Sequence, residues 1–192
     1  FDFQSLSLFD LSLIGCKLKR IDSRLPSSNL VGLNLSNNFL SDVKNLFDNG
    51  MMMLKYLNLS HNQLGSVPAR IGDDQISSLL TLDLSFNSLE HLPDTIQGTK
   101  HLTNVNLSHN NLAGFPKCIR EMKNLEVIYV GNNNIKSIPD WLTELQGIEE
   151  LFLNNIGLTT IDEGLFNLNL NRLDLSNNQL SDIPDNIFKL EE

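Results

Sequence analysis

Apolar positions along this chain follow one short pattern that returns at regular intervals. The segment L-x-x-L-x-L-x-x-N-x-L occurs eight times, starting at Leu8, Leu30, Leu54, Leu79, Leu102, Leu125, Ile148 and Leu170. Its asparagine-type positions are Cys16, Asn38, Asn62, Asn87, Asn110, Asn133, Ile156 and Asn178, spaced 22, 24, 25, 23, 23, 23 and 22 residues apart. A single copy is weak evidence. Eight at near-constant spacing define a repeat architecture, in which each unit buries its apolar side against its neighbours.

The alternation within L-x-L predicts a strand, because strand side chains have a period of two. In the fourth repeat Leu82 and Leu84 point inward while Thr81, Asp83 and Ser85 point out. Strands of successive repeats then lie parallel, about 4.8 Å apart. Asparagine at the corner caps backbone groups that the sheet does not reach, and Cys16 is a usual stand-in for it. After the corner comes a second signature, SVPARI, HLPDTI, GFPKCI, SIPDWL and DIPDNI, in which proline fixes the backbone and an apolar anchor follows: Ile71, Ile96, Ile119, Leu142 or Ile187. Repeats of 22 to 25 residues leave space on the return path for a short helix or 3₁₀ turn only. Strands shorter than the return segments bend the stack into a horseshoe with the sheet inside.

On these motifs the chain resembles the leucine-rich-repeat proteins, and its LxxLxLxxNxLxxLP-type units resemble those of intracellular Ras-pathway scaffolds and Scribble-type polarity proteins. The resemblance implies an α/β leucine-rich-repeat solenoid with a parallel sheet on the concave face and 3₁₀ turns, short helices and loops on the convex one. Residues 1–192 read as a single domain, and a start inside a repeat-like pattern suggests a piece of a longer protein. Three places depart from the pattern. Ile156 breaks the asparagine column, repeat two replaces the proline signature with NLFDNGMMML, and IGDDQISS lengthens the loop after repeat three.

Charge narrows the partners. Fourteen Lys and Arg against 23 Asp and Glu give a net charge of −9, which repels nucleic-acid phosphates and anionic membranes. The C-terminal half is the more acidic, and no stretch has the roughly 18 consecutive apolar residues of a membrane span. The two cysteines, Cys16 and Cys118, lie four repeats apart and cannot pair, which favours a reducing compartment. Three Asn-x-Ser sequons, at Asn34, Asn58 and Asn106, arise from the L-N-L-S strand itself and would place glycans on the concave face.

With the register set, two rows of side chains face the concave solvent. The central row contains Ser12, Asn34, Asn58, Asp83, Asn106, Tyr129, Phe152 and Asp174; the row before it contains Asp10, Gly32, Tyr56, Thr81, Asn104, Val127, Glu150 and Arg172. Val127, Tyr129 and Phe152 form an apolar cluster rimmed by Glu150, Arg172 and Asp174, the composition of a protein-binding hot spot. The competing expectation is that these rings stack on one another across strands. Tyr56 and Phe86, with His61 and His109 along the strand-to-turn edge, form a second candidate, and Asp83 is the acidic residue of the middle strands.

Catalysis finds no support. His61 and His109 stand two repeats apart, roughly 10 Å, too far to share a metal, and there is no phosphate loop, nucleophile elbow or Cys-x-x-Cys pair. The expectation is therefore a non-enzymatic module without metal or cofactor that binds a protein or peptide on its concave face. An intracellular scaffold or targeting domain is the leading reading. The alternatives are a fragment of a secreted or cell-surface receptor ectodomain, in view of IDEGLFNL and DIPDNIFKL, and the regulatory repeat domain of a kinase or GTPase.

Overall fold

A computed structural model describes residues 8–21, 25, 28–185 and 187, with the backbone alone at residue 75. The ends of the predicted domain and Phe188 of DIPDNIFKL lie outside these residues. Among these residues, eight strands of three residues each form one parallel sheet in chain order. They are β1 (Asp10–Ser12), β2 (Gly32–Asn34), β3 (Tyr56–Asn58), β4 (Thr81–Asp83), β5 (Asn104–Asn106), β6 (Val127–Tyr129), β7 (Glu150–Phe152) and β8 (Arg172–Asp174). Each falls on the x-L-x centre of its motif, and the leucines stay in step, as in Leu11 opposite Leu33 and Leu57 opposite Leu82. The sheet lines the inner side of a horseshoe.

Side-chain alternation drives this arrangement. Leu33, Leu57, Leu82, Val105, Ile128 and Leu151 are at most 2% exposed and stack into one column under the sheet. Burying each contributes about 1.5–3 kcal/mol, and a column shared by neighbouring repeats makes that burial cooperative. Ser85, expected to face out, is instead buried: its hydroxyl turns back to donate to Asp83 Oδ1 at 2.7 Å. The chain has already begun its corner there.

The asparagine column joins three segments at each corner. Asn110 Nδ2 donates to the carbonyls of Leu84 in the previous repeat and Leu107 in its own, at 3.0 and 3.1 Å, while its Oδ1 accepts from Leu89 N at 3.0 Å. Asn38, Asn62, Asn87 and Asn133 repeat this set. Cys16 does not reproduce it: the thiol is exposed and reaches only the Ile14 carbonyl, at 3.6 Å.

Ile156 occupies the column without a polar group, buried at 0% exposure. The Asn178 oxygen accepts from both Ile156 N and Leu158 N, at 3.1 Å each. One corner earlier, Lys136 takes the left-handed conformation at φ 68° and its N–H donates to the Ile156 carbonyl at 2.8 Å. The corner thus finds new backbone partners rather than loosening.

On the convex side, Pro68, Pro93, Pro116 and Pro139 each precede a 3₁₀ helix: Ala69–Gly72, Asp94–Gly98, Lys117–Glu121 and Asp140–Glu144. In each, the proline carbonyl accepts the N–H of the buried anchor, Ile71, Ile96, Ile119 or Leu142. Repeat seven has Asp162 in that place, whose carboxylate caps Gly164 N at 2.7 Å. IGDDQISS forms a second 3₁₀ turn, Asp74–Ile76. The preceding turn lies so close to the next repeat that a Cβ on Gly72 would collide with the Thr95 carbonyl and one on Gly98 with the Gly72 carbonyl. The apolar run of repeat two divides, with Phe47 and Met51 buried and Met52 and Met53 exposed.

Candidate functional site: the concave sheet

The first and third residues of every strand face the concave solvent, so the register brings side chains into two rows, as expected. Three groupings stand out.

The first lies on β6 to β8. The Tyr129 and Phe152 rings stack with centres 4.1 Å apart and planes 14° from parallel, and Arg172 Cζ lies 4.9 Å from the Phe152 ring centre. Phe152 is consequently only 8% exposed, so the anticipated exposed cluster is corrected in part. Phe152 is the middle layer of a Tyr–Phe–Arg stack, and Tyr129 and Arg172 form its outer layers. Val127 lies opposite Glu150, and Glu150 opposite Arg172, in the neighbouring row. The hydroxyl and N–H of Ser176 hold the Asp174 carboxyl below its ordinary range, the N–H at 2.9 Å from Oδ1, with Arg172 adding to the effect. This end of the face therefore presents a fixed anion beside a fixed cation.

The second grouping occupies β1 to β4, where a depression of about 480 Å³ opens over Gly32. Asp10, Tyr56 and Asp83 line it, and Tyr56 is 51% exposed. Asp83 Oδ1 is engaged by Ser85, whose N–H donates at 2.9 Å and whose hydroxyl at 2.7 Å. Sequence reasoning named Tyr56 and Asp83 but not their joint cavity. The available signal was glycine in a row that elsewhere carries side chains.

The third grouping runs along the strand-to-turn edge. His61, Phe86 and His109 stack face to face, with centres 4.0 and 3.8 Å apart. All three occupy the left-handed position before the column asparagine, at φ 52°, 52° and 54°. Asn132 Nδ2 lies 3.0 Å from His109 Nε2 and extends the file. Phe86 thus belongs to the edge rather than to the Tyr56 depression.

A parallel sheet in chain order, an asparagine column and a curved inner surface define a class: a repeat solenoid with its sheet on the concave side. Sequence profiles described as leucine rich repeat match residues 53–112, 100–146 and 169–190. The chain belongs to the leucine-rich-repeat proteins. It is 39% identical over 90 residues to lumican of Oryctolagus cuniculus, a match covering 47% of this chain and 45% of that one. A leucine-rich-repeat protein of Leptospira interrogans shares the fold with a TM-score of 0.84 and 30% identity, over 91% of this chain and 44% of its own. Internalin C2 of Listeria monocytogenes follows at 0.82 and 25%, over 95% and 76%. The chain thus spans less than half the length of the lumican and Leptospira proteins it matches.

Proposed function

We propose that this chain is a protein-interaction module that takes a protein or peptide partner on its concave face and serves as a scaffold or targeting domain. The observation that carries the reading is the two-row surface itself: contiguous over eight strands, furnished with exposed Tyr56 and with the Tyr129–Phe152–Arg172 stack, and bordered by exposed Phe86. Curved repeat sheets give extended binding surfaces, and preorganised aromatic and arginine groups lose little entropy on binding. Val127, Tyr129, Glu150, Phe152, Arg172 and Asp174 are assigned to one contact patch. Tyr56 and Asp83 are assigned to a second patch, and Phe86 to the edge beside it, in its stack with His61 and His109. Phe152 acts by supporting Tyr129 and Arg172, so alanine there would also empty a buried site.

The intracellular reading rests on the two free thiols alone, one of them exposed, and an extracellular location is its alternative. The sequon oxygens of Asn34, Asn58 and Asn106 accept from the N–H of Ser36, Ser60 and Ser108, and a glycan at any of them would stand within the proposed contact surface.

Partner capture tests the proposal. Paired Tyr129→Ala and Arg172→Ala substitutions reduce recovery of the partner at least about tenfold if the two side chains act as hot-spot residues. Glu121→Ala, on a convex 3₁₀ turn, leaves recovery unchanged. Unchanged recovery by the concave pair, in a folded protein, overturns this patch.

A further inference from the structure

The row before the central one carries a side chain on every strand except β2, where Gly32 stands between Asp10 of β1 and Tyr56 of β3. Those two neighbours are two strand spacings apart, roughly 10 Å, so the gap is the width of one inserted side chain. The Asp10 carboxylate leans over Gly32 and is the nearest group to a Cβ built there, so the gap is partly filled by the movable end of a side chain and not by backbone, and an inserted group displaces that carboxylate sideways and stays beside it. The charged groups of its walls have one sign. Asp10 and Asp83 bring two carboxylates and Tyr56 an exposed ring, and among the described residues no lysine or arginine lines the depression.

We propose that this notch seats a single arginine or lysine side chain of the partner, over Gly32, between the Asp10 carboxylate and the Tyr56 ring. The inference rests on the concave face being the partner surface and names the chemistry recognised at its β1–β4 end. A cation there gains a carboxylate on one side and the negative face of an aromatic ring on the other. The same molecule shows the cation–ring half of this arrangement on the same face, where Arg172 Cζ lies 4.9 Å from the Phe152 ring centre. At the notch the ring and the carboxylates are present and the cation is supplied from outside. The net charge of −9 favours the approach of a basic segment, and the notch gives it a defined place to dock.

The test is a ¹H–¹⁵N titration of the 192-residue chain with the blocked pentapeptide Gly-Ser-Arg-Ser-Gly and with its citrulline counterpart, which has nearly the same shape and no charge. The arginine peptide moves the amides of Gly32, Leu33 and Tyr56 saturably, and the citrulline peptide does not. Asp10→Asn weakens binding about fivefold and Tyr56→Leu about threefold, the size expected of one exposed charge pair and one exposed cation–π contact. Both positions are exposed, so both variants keep the fold, which the same spectra verify. Equal shifts from the two peptides, absence of binding, or saturable shifts that spare Gly32 would each overturn the notch. If the notch fails while partner recovery still depends on Tyr129 and Arg172, the concave-face reading stands without it; if both fail, that reading falls too.

Discussion

The Phe86 ring lies 3.8 Å from the His109 ring, its plane 13° from parallel, although the Phe86 backbone sits at φ 52°, where a bulky residue is rarely found. Two effects oppose each other. The left-handed conformation costs about 1–2 kcal/mol, and each ring stack returns about 0.5–1.5 kcal/mol. Phe86→Ala loses both stacks and keeps most of the backbone cost, so it destabilises by about 1–2 kcal/mol. Phe86→Asn loses the stacks but tolerates the conformation, and stays within about 1 kcal/mol of the parent. Urea denaturation followed by circular dichroism compares them; equal losses would contradict this balance.

Gly72 and Gly98 are required by close backbone approach between the convex turns of repeats three and four. Thr95 Oγ1 also donates to the Ala69 carbonyl at 2.7 Å and ties the same two turns. Gly72→Ala forces backbone against backbone and costs about 1–3 kcal/mol or more. Gly114, with open space around its Cβ position, accepts alanine with little change. Parallel thermal melts of the two variants give the comparison.

The asparagine column makes an unequal prediction along its length. Asn110→Ala removes the partner of Leu89 N and three carbonyl contacts in a buried corner, at a cost of about 1–3 kcal/mol. Cys16→Ala, at the equivalent position, costs about 0.5 kcal/mol or less, because that thiol is exposed and has one long contact. Melting temperatures that fall alike would refute the hydrogen-bond account of the column.

Burial pushes the Cys118 thiol up to about 11, whereas a thiol in an unfolded chain titrates near ~8.5. The folded state therefore holds the proton more tightly. Stability from this group is complete below the unfolded value and is lost as pH rises from about 8.5 through about 11. Melting temperature should fall across that window in the parent and fall less in Cys118→Ala. With a disulfide reagent at pH 8, one thiol, Cys16, reacts in the folded chain, and the second reacts only after unfolding.

Strand positions were legible in the sequence because a period of two leaves only one face for the leucines, and the structure starts each strand where x-L-x demands. Contacts between repeats were harder to read. That Tyr129 and Phe152 are adjacent follows from the register, but that Arg172 closes over Phe152 and buries it depends on side-chain rotation. The Gly32 depression was hidden for the opposite reason, since a missing side chain carries no chemical signature of its own. At Ile156 the motif marked the break in the column but could not show that Lys136 would turn to φ 68° to supply a new hydrogen bond.

The most direct test of concave-face binding places a photo-reactive benzoylphenylalanine at Tyr129 on the sheet or at Glu121 on a convex turn, and irradiates the chain with its captured partner. Adducts from position 129 and none from position 121 are the predicted result. Adducts from position 121 with none from position 129 would contradict the assignment of the sheet as the binding surface.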